Sequence, residues 1–165
     1  MTDPKDRLLE LLDPLLAKVA ALDPAACRDR DSATRLLEDL RESFPLESPP
    51  VAAIRELVGQ GITEGWLCQH GEPAARFCRV AKPSAATHDL SVDLVSLEGP
   101  ALRHTHPQGE VTLGFVAQGD DPRFDGHPAG WVFMEPGSTH TPTVSGGRMH
   151  LLYFLPGGAV EWHRD

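Results

Sequence analysis

The stretch His104-Thr105-His106-Pro107-Gln108-Gly109-Glu110 decides how this chain reads. Side chains two apart on a strand share a face, so His104 and His106 point the same way. Pro107 to Gly109 signals a turn, which returns Glu110 close enough to add an oxygen. Two imidazoles and a carboxylate suit a divalent metal (Fe, Mn, Ni or Zn), with positions left for water or substrate. A second stretch, Gly130-Trp131-Val132-Phe133-Met134-Glu135-Pro136-Gly137-Ser138-Thr139-His140, reads as a strand, a Pro-Gly turn and one histidine entering the next strand. His140 is the candidate fourth ligand. Histidines that do acid–base work or simply pack are the alternatives.

Around these stretches the chain divides by composition. Of its 15 glycines, 14 follow residue 60, and so do all 8 histidines. Residues 61–165 carry short apolar runs at Gly65–Cys68, Phe77–Val80, Leu90–Leu97, Val111–Val116, Trp131–Met134 and Met149–Leu155. Turn signals separate them, among them Gly119-Asp120-Asp121-Pro122, Gly146-Gly147 and Pro156-Gly157-Gly158. Short strands with regular turns predict a small β-barrel or jelly roll. Residues 1–60 are rich in Leu, Ala and charge, and read as a helical N-terminal segment. Leu8, Leu12, Leu15, Val19 and Leu22 recur at helical spacing after Asp3-Pro4, an N-cap followed by proline in the first turn. Pro14 predicts a kink or a split into two helices. A second helix follows Ser32 and closes before Pro45. A third starts near Ser48 and is stopped by Gly59 and Gly61. The expected fold is thus mainly β, a barrel domain preceded by a helical segment.

The bulk properties exclude several classes. With 165 residues, 41 % hydrophobic and 24 % charged, the chain can build a full core, and long disorder is not expected. No apolar run is long enough for a membrane helix. The opening Met1-Thr2-Asp3-Pro4-Lys5-Asp6 is acidic and polar, unlike a secretory signal, so a cytoplasmic location is expected. A net charge of -9 repels phosphate backbones and anionic lipid, so neither nucleic acid nor membrane is an expected partner. Cys27, Cys68 and Cys78 are odd in number and lack C-x-x-C spacing, so buried free thiols are expected.

The two stretches resemble the paired motifs of the cupin superfamily, which implies a cupin-type β-barrel. His104, His106 and Glu110 match the first motif, with Gly119 two places later than its usual glycine. Gly130, Pro136, Gly137 and His140 match the second, with the proline moved one place. Val144 stands where the second motif often has asparagine. A closer resemblance runs through Gly65–Cys68, His104–Glu110, Phe124-Asp125-Gly126, Gly130-Trp131-Val132, Gly137–Val144 and Leu155–Glu161. These segments look like the 4-hydroxylaminobenzoate lyase family, which also has a helical part before its barrel. The resemblance implies conversion of 4-hydroxylaminobenzoate to 3,4-dihydroxybenzoate and ammonia, a step in nitroaromatic breakdown.

Such a reaction gives the residues three tasks. A leaving oxygen needs a proton or a Lewis acid, a water must reach the ring, and the substrate carboxylate must be held. A divalent metal on His104, His106, Glu110 and His140 serves the first two. Without one, Glu110 or a histidine such as His140 is the candidate acid, if burial raises its pKa. Arg79 is the preferred carboxylate anchor, over Arg148 and over Arg103, which alternation turns away from the ligands. Trp131 and Tyr153, with Phe133, are candidate aromatic walls for a small aromatic acid; core packing is the alternative. Other readings are a metal-dependent cupin dioxygenase or sugar isomerase, and a non-catalytic cupin sensor. Apolar helix faces and the habit of cupin barrels point to a homodimer.

Overall fold

The computed structural model describes residues 3–163; the terminal Met1 and Thr2 used above lie outside them. Among the described residues three α-helices come first: α1 (Pro4–Leu22), α2 (Arg30–Ser43) and α3 (Pro49–Glu64), with a single 3₁₀ turn at Pro24–Ala26. Ten strands follow: β1 (His70–Glu72), β2 (Ala75–Ala81), β3 (Leu90–Pro100), β4 (His104–His106), β5 (Glu110–Gln118), β6 (Arg123–Phe124), β7 (Gly130–Met134), β8 (Ser138–His140), β9 (Thr143–Pro156) and β10 (Glu161–Trp162). The larger sheet runs β1-β2-β3-β9-β5-β7, with β6 beside β9, and the smaller runs β10-β4-β8. Every pairing is antiparallel. This is the expected mainly β arrangement, two antiparallel sheets behind an N-terminal helical segment.

Both faces of the larger sheet are buried, by different partners. Val111, Leu113, Phe115, Leu152 and Phe154 join Leu8, Leu12, Leu15, Val19, Leu36, Leu40 and Ile54 in one cluster, so the helices cover the outer face. Alternation turns Met149, Leu151, Tyr153 and Leu155 inward to a second cluster with Leu97, Phe124, Val132 and Val144. The helical stripe therefore packs on the barrel. Among the described residues no helix is long and apolar enough to cross a membrane. The three cysteines are free and buried, as expected.

Four local expectations are corrected. Helix α1 runs through Pro14 as one helix, so the split into two is not seen. Pro14 and Glu10 are solvent-exposed, so the carbonyl that loses its partner is on the wet side. Helix α3 runs past Gly59 and Gly61 and ends at Gly65, whose φ of 87° supplies the left-handed cap. Gly61 is a packing residue instead: a Cβ there would lie 2.5 Å from Leu67 Cδ1. Gly65–Cys68 is therefore a helix cap and bend rather than a strand. Gly146-Gly147 lies within β9, close against Gln118 and Gly119, and not at a turn.

His150 on β9 pairs across the sheet with Ser96 and Phe115. Burial, and then the Arg148 charge, push its pKa down to about 4. Its unfolded value is about 6.5, so between these values the unfolded chain holds a proton that the folded chain does not. Stability is expected to fall as pH drops from about 6.5 to about 4, by on the order of 1–3 kcal/mol from this residue. Urea titrations across that window should show a shallower acid loss for His150→Gln than for the parent protein. Equal losses would refute the assignment.

Candidate metal centre and cavity

The four candidate ligands come from three strand segments whose register brings them together. On the short strands β4 and β8, His104 lies directly opposite His140. His106 shares the face of His104, and the turn after it starts β5 at Glu110. One ligand atom from each of the four residues lies within 4.8 Å of the others. His106 Nε2 is 2.8 Å from His140 Nε2, which is 3.2 Å from His104 Nε2. Glu110 Oε2 is 2.5 Å from His106 Nε2 and 3.5 Å from His140 Nε2. His104, His106 and Glu110 are buried, and Glu110 is 0 % exposed.

The donor set can be tested for a metal on its own chemistry. His104 Nδ1 faces the Leu102 carbonyl at 2.9 Å, and His140 Nδ1 faces Asp125 Oδ2 at 2.7 Å. A ring whose Nδ1–H donates has its lone pair on Nε2. Two such lone pairs and the Nε2 of His106, whose Nδ1 is buried without a partner, crowd one point with a carboxylate. Glu110 Oε2 is buried there without a well-formed hydrogen bond, an arrangement that a cation resolves. Tetrahedral or octahedral N/O chemistry suits this set, so it fits a metal site.

The electrostatics follow from the same contacts. Burial would raise the Glu110 pKa, but the imidazoles of His106 and His140 set against its carboxylate outweigh burial and hold Glu110 below its usual value. Burial would lower His140, yet Asp125 and Glu110 push it up to about 9. Burial dominates at His104 and lowers it. Glu110 is therefore ionised at neutral pH. Of the two candidate acids, Glu110 is thus the one held low, which suits a ligand or a base, and His140 is the one pushed up.

A cavity of about 870 Å³ opens onto this cluster. His104, His106 and Glu110 line it, with Tyr153 and Arg79. Arg79 is already paired: its Nε donates to Asp93 Oδ1 at 2.8 Å and its Nη2 reaches Asp93 Oδ2 at 3.5 Å. Ser91 Oγ also donates to Asp93. Arg148 is tied to Glu98 and Ser96, and Arg103 is exposed. Arg79, Asp93, Tyr153 and Thr112 are successive cross-strand neighbours, a row leading toward Glu110. Thr112 Oγ1 donates to Glu110 Oε1 at 3.2 Å.

Trp131 does not join this group. It lies on the helix-facing side of β7 opposite Leu113, and its Nε1 donates to the Phe44 carbonyl at 2.9 Å. Phe133 packs on the same side. Neither ring walls the cavity, because alternation from Val132 turns both outward. Asp125 is the residue that the spacing of ligand types missed. Its signal was the Asp-Gly pair in Phe124-Asp125-Gly126, which marks a tight turn but not the histidine behind it.

The sequence model of the 4-hydroxylaminobenzoate lyase family matches residues 22–162. The chain belongs to this family. It is similar to a 4-hydroxylaminobenzoate lyase of Pseudomonas putida, 28 % identical over 178 aligned positions, covering 96 % of this chain and 95 % of the relative. A second lyase of that name, from a Nocardioides strain, is 27 % identical and covers 82 % of this chain and 85 % of its own. Among solved structures, an RmlC-like cupin of Ralstonia eutropha aligns with a TM-score of 0.42 and 17 % identity, over 57 % of this chain and 62 % of that one. A Klebsiella pneumoniae protein with a double-stranded β-helix domain aligns at 0.40 and 19 %, over 58 % of this chain and 90 % of its own.

Proposed function

We propose that this protein is a lyase that converts 4-hydroxylaminobenzoate to 3,4-dihydroxybenzoate and ammonia. The observation that carries this reading is a three-histidine, one-glutamate cluster at one end of a largely apolar cavity that also holds an arginine–aspartate pair. Such a space suits a flat aromatic ring with one charged end and one reactive end. The net reaction consumes one water: the N–O bond breaks with loss of water, a second water adds to the neighbouring ring carbon, and a third releases ammonia from the imine carbon.

His104, His106, Glu110 and His140 would hold a divalent metal. When bound, such an ion supplies Lewis acidity, polarising an oxygen and lowering the pKa of bound water. The chain's own groups do the rest. Without a bound ion, Glu110 and His140 would pair an ionised carboxylate with an imidazole held toward its protonated form, which suits proton movement at the reacting end. Tyr153 and Leu155 give the cavity apolar walls on which the ring can pack. Arg79 keeps guanidinium hydrogens beyond those used by Asp93, and these can take the substrate carboxylate.

The test is anaerobic incubation of purified, metal-replete protein with 4-hydroxylaminobenzoate. Ammonium and 3,4-dihydroxybenzoate are expected in equal amounts without oxygen. No ammonium from folded protein would overturn the reading. Arg79→Gln is expected to raise KM by roughly 10–100-fold, the worth of a charge-assisted contact, with a smaller change in kcat. Phenylhydroxylamine, which lacks the carboxylate, should be handled alike by both proteins. An unchanged KM for the benzoate would remove Arg79 from the site.

A further inference from the structure

The turn that joins β6 to β7 is built to place one carboxylate. Phe124 and His127 exchange two backbone hydrogen bonds, each 2.8 Å, across Asp125-Gly126. Asp125 has a φ of 49° and Gly126 one of 83°, the positive pair that a two-residue hairpin turn requires. The turn is then fixed to the start of β9. Asp125 N donates to the Thr143 carbonyl at 2.9 Å, and Thr143 N donates to Asp125 Oδ1 at 2.9 Å. The other oxygen, Oδ2, is left 2.7 Å from His140 Nδ1. Behind the ring, Phe124 packs edge-on at 6.2 Å.

We propose that Asp125 is the positioning residue of this cluster, holding His140 with its proton on Nδ1 and its Nε2 lone pair toward His104, His106 and Glu110. It does not touch substrate. The proposal rests on the cluster being a metal site, and not on which substrate the cavity takes.

The chemistry of the side chain makes the proposal testable. Asp125 accepts from two different N–H groups, one on each oxygen. An asparagine has one acceptor and one donor end, so it can satisfy Thr143 N or His140 Nδ1 but not both. If its amide nitrogen faces the ring, Nδ1 becomes the acceptor and the proton moves to Nε2, where it blocks a metal. The turn itself tolerates the change, because asparagine accepts a positive φ. The effect of Asp125→Asn is therefore directed at one ring nitrogen.

The experiment uses the full chain, stripped of metal and titrated with Zn²⁺ and Co²⁺. Asp125→Asn is expected to bind each ion roughly 10–100-fold more weakly, with the cooperative unfolding transition retained. The visible Co²⁺ spectrum should also change, reporting the altered ligand field rather than fold. Unchanged affinity and spectrum in a folded variant would overturn the proposal. Should the variant fail to fold, nitrogen-15 NMR of the Zn²⁺-loaded parent protein decides. A slowly exchanging His140 Nδ1–H with Nε2 on the metal is the expected result. Coordination through Nδ1, or a freely exchanging Nδ1 proton, would overturn the proposal. Both measurements are independent of turnover, so they stand even if the lyase test fails.

Discussion

Glu110→Gln is expected to remove most bound metal and to slow ammonium release by about 10³-fold or more, equivalent to at least ~4 kcal/mol of transition-state stabilisation. The glutamate is fully enclosed, faces two imidazoles, and is the one carboxylate among the four grouped ligands. Glutamine keeps its size. It replaces a charged oxygen with either a weaker neutral donor or an amide that points hydrogens at the Nε2 atoms. The histidines then lose the charge that offsets a dication. Metal content by elemental analysis and ammonium release on the same preparation give the result, with the unfolding midpoint as the control for fold. A variant that keeps full metal and full rate would mean that the reaction is performed elsewhere.

The cluster was legible because its spacing encodes local geometry. The period of a strand puts His104 and His106 on one face, and a Pro-Gly-bearing turn returns Glu110. His140 follows its own Pro-Gly turn and enters the strand that pairs with β4. Each step spans a few residues, where backbone rules act directly. Arg79 was found as a cavity residue, but its partner Asp93 was not, because the pair is set by the β2–β3 register. Asp125 was out of reach for a related reason. A turn type is local, while the ring that its side chain supports comes 15 residues later. The helices read well from their stripe, yet α3 overran two glycines because the space at Gly61 is defined by Leu67 folding back on it.

The face of β7 could not be read at all. Gly130-Trp131-Val132-Phe133-Met134 is apolar at every position after the glycine, and alternation carries no information when both faces are covered. Here the barrel interior takes Val132 while the helices take Trp131 and Phe133. The sequence shows an aromatic strand beside a ligand turn, a reasonable place to expect a substrate wall. The helical layer decides otherwise.

Trp131→Ala is therefore expected to act on stability and not on substrate binding. The ring is 2 % exposed, lies 6.1 Å from Phe154, and joins β7 to the end of α2 through the Phe44 carbonyl. Arg41 reaches the Trp131 carbonyl at 3.2 Å, so the same residue ties helix to sheet through its backbone as well. Truncating a buried tryptophan costs about 3–5 kcal/mol, a large part of the 5–15 kcal/mol that typically separates folded from unfolded chains. Trp131→Phe keeps most of the packing and strands the Phe44 carbonyl, so it should cost about 1–3 kcal/mol. Urea titration gives both values. At temperatures where the variants remain folded, KM for the substrate should stay within about twofold of the parent value, because the ring is on the far side of the sheet from the cavity. A tryptophan in the cavity wall would give the reverse, a raised KM with little loss of stability. That pattern would place Trp131 back among the substrate contacts and would require the helical layer to sit elsewhere on the barrel.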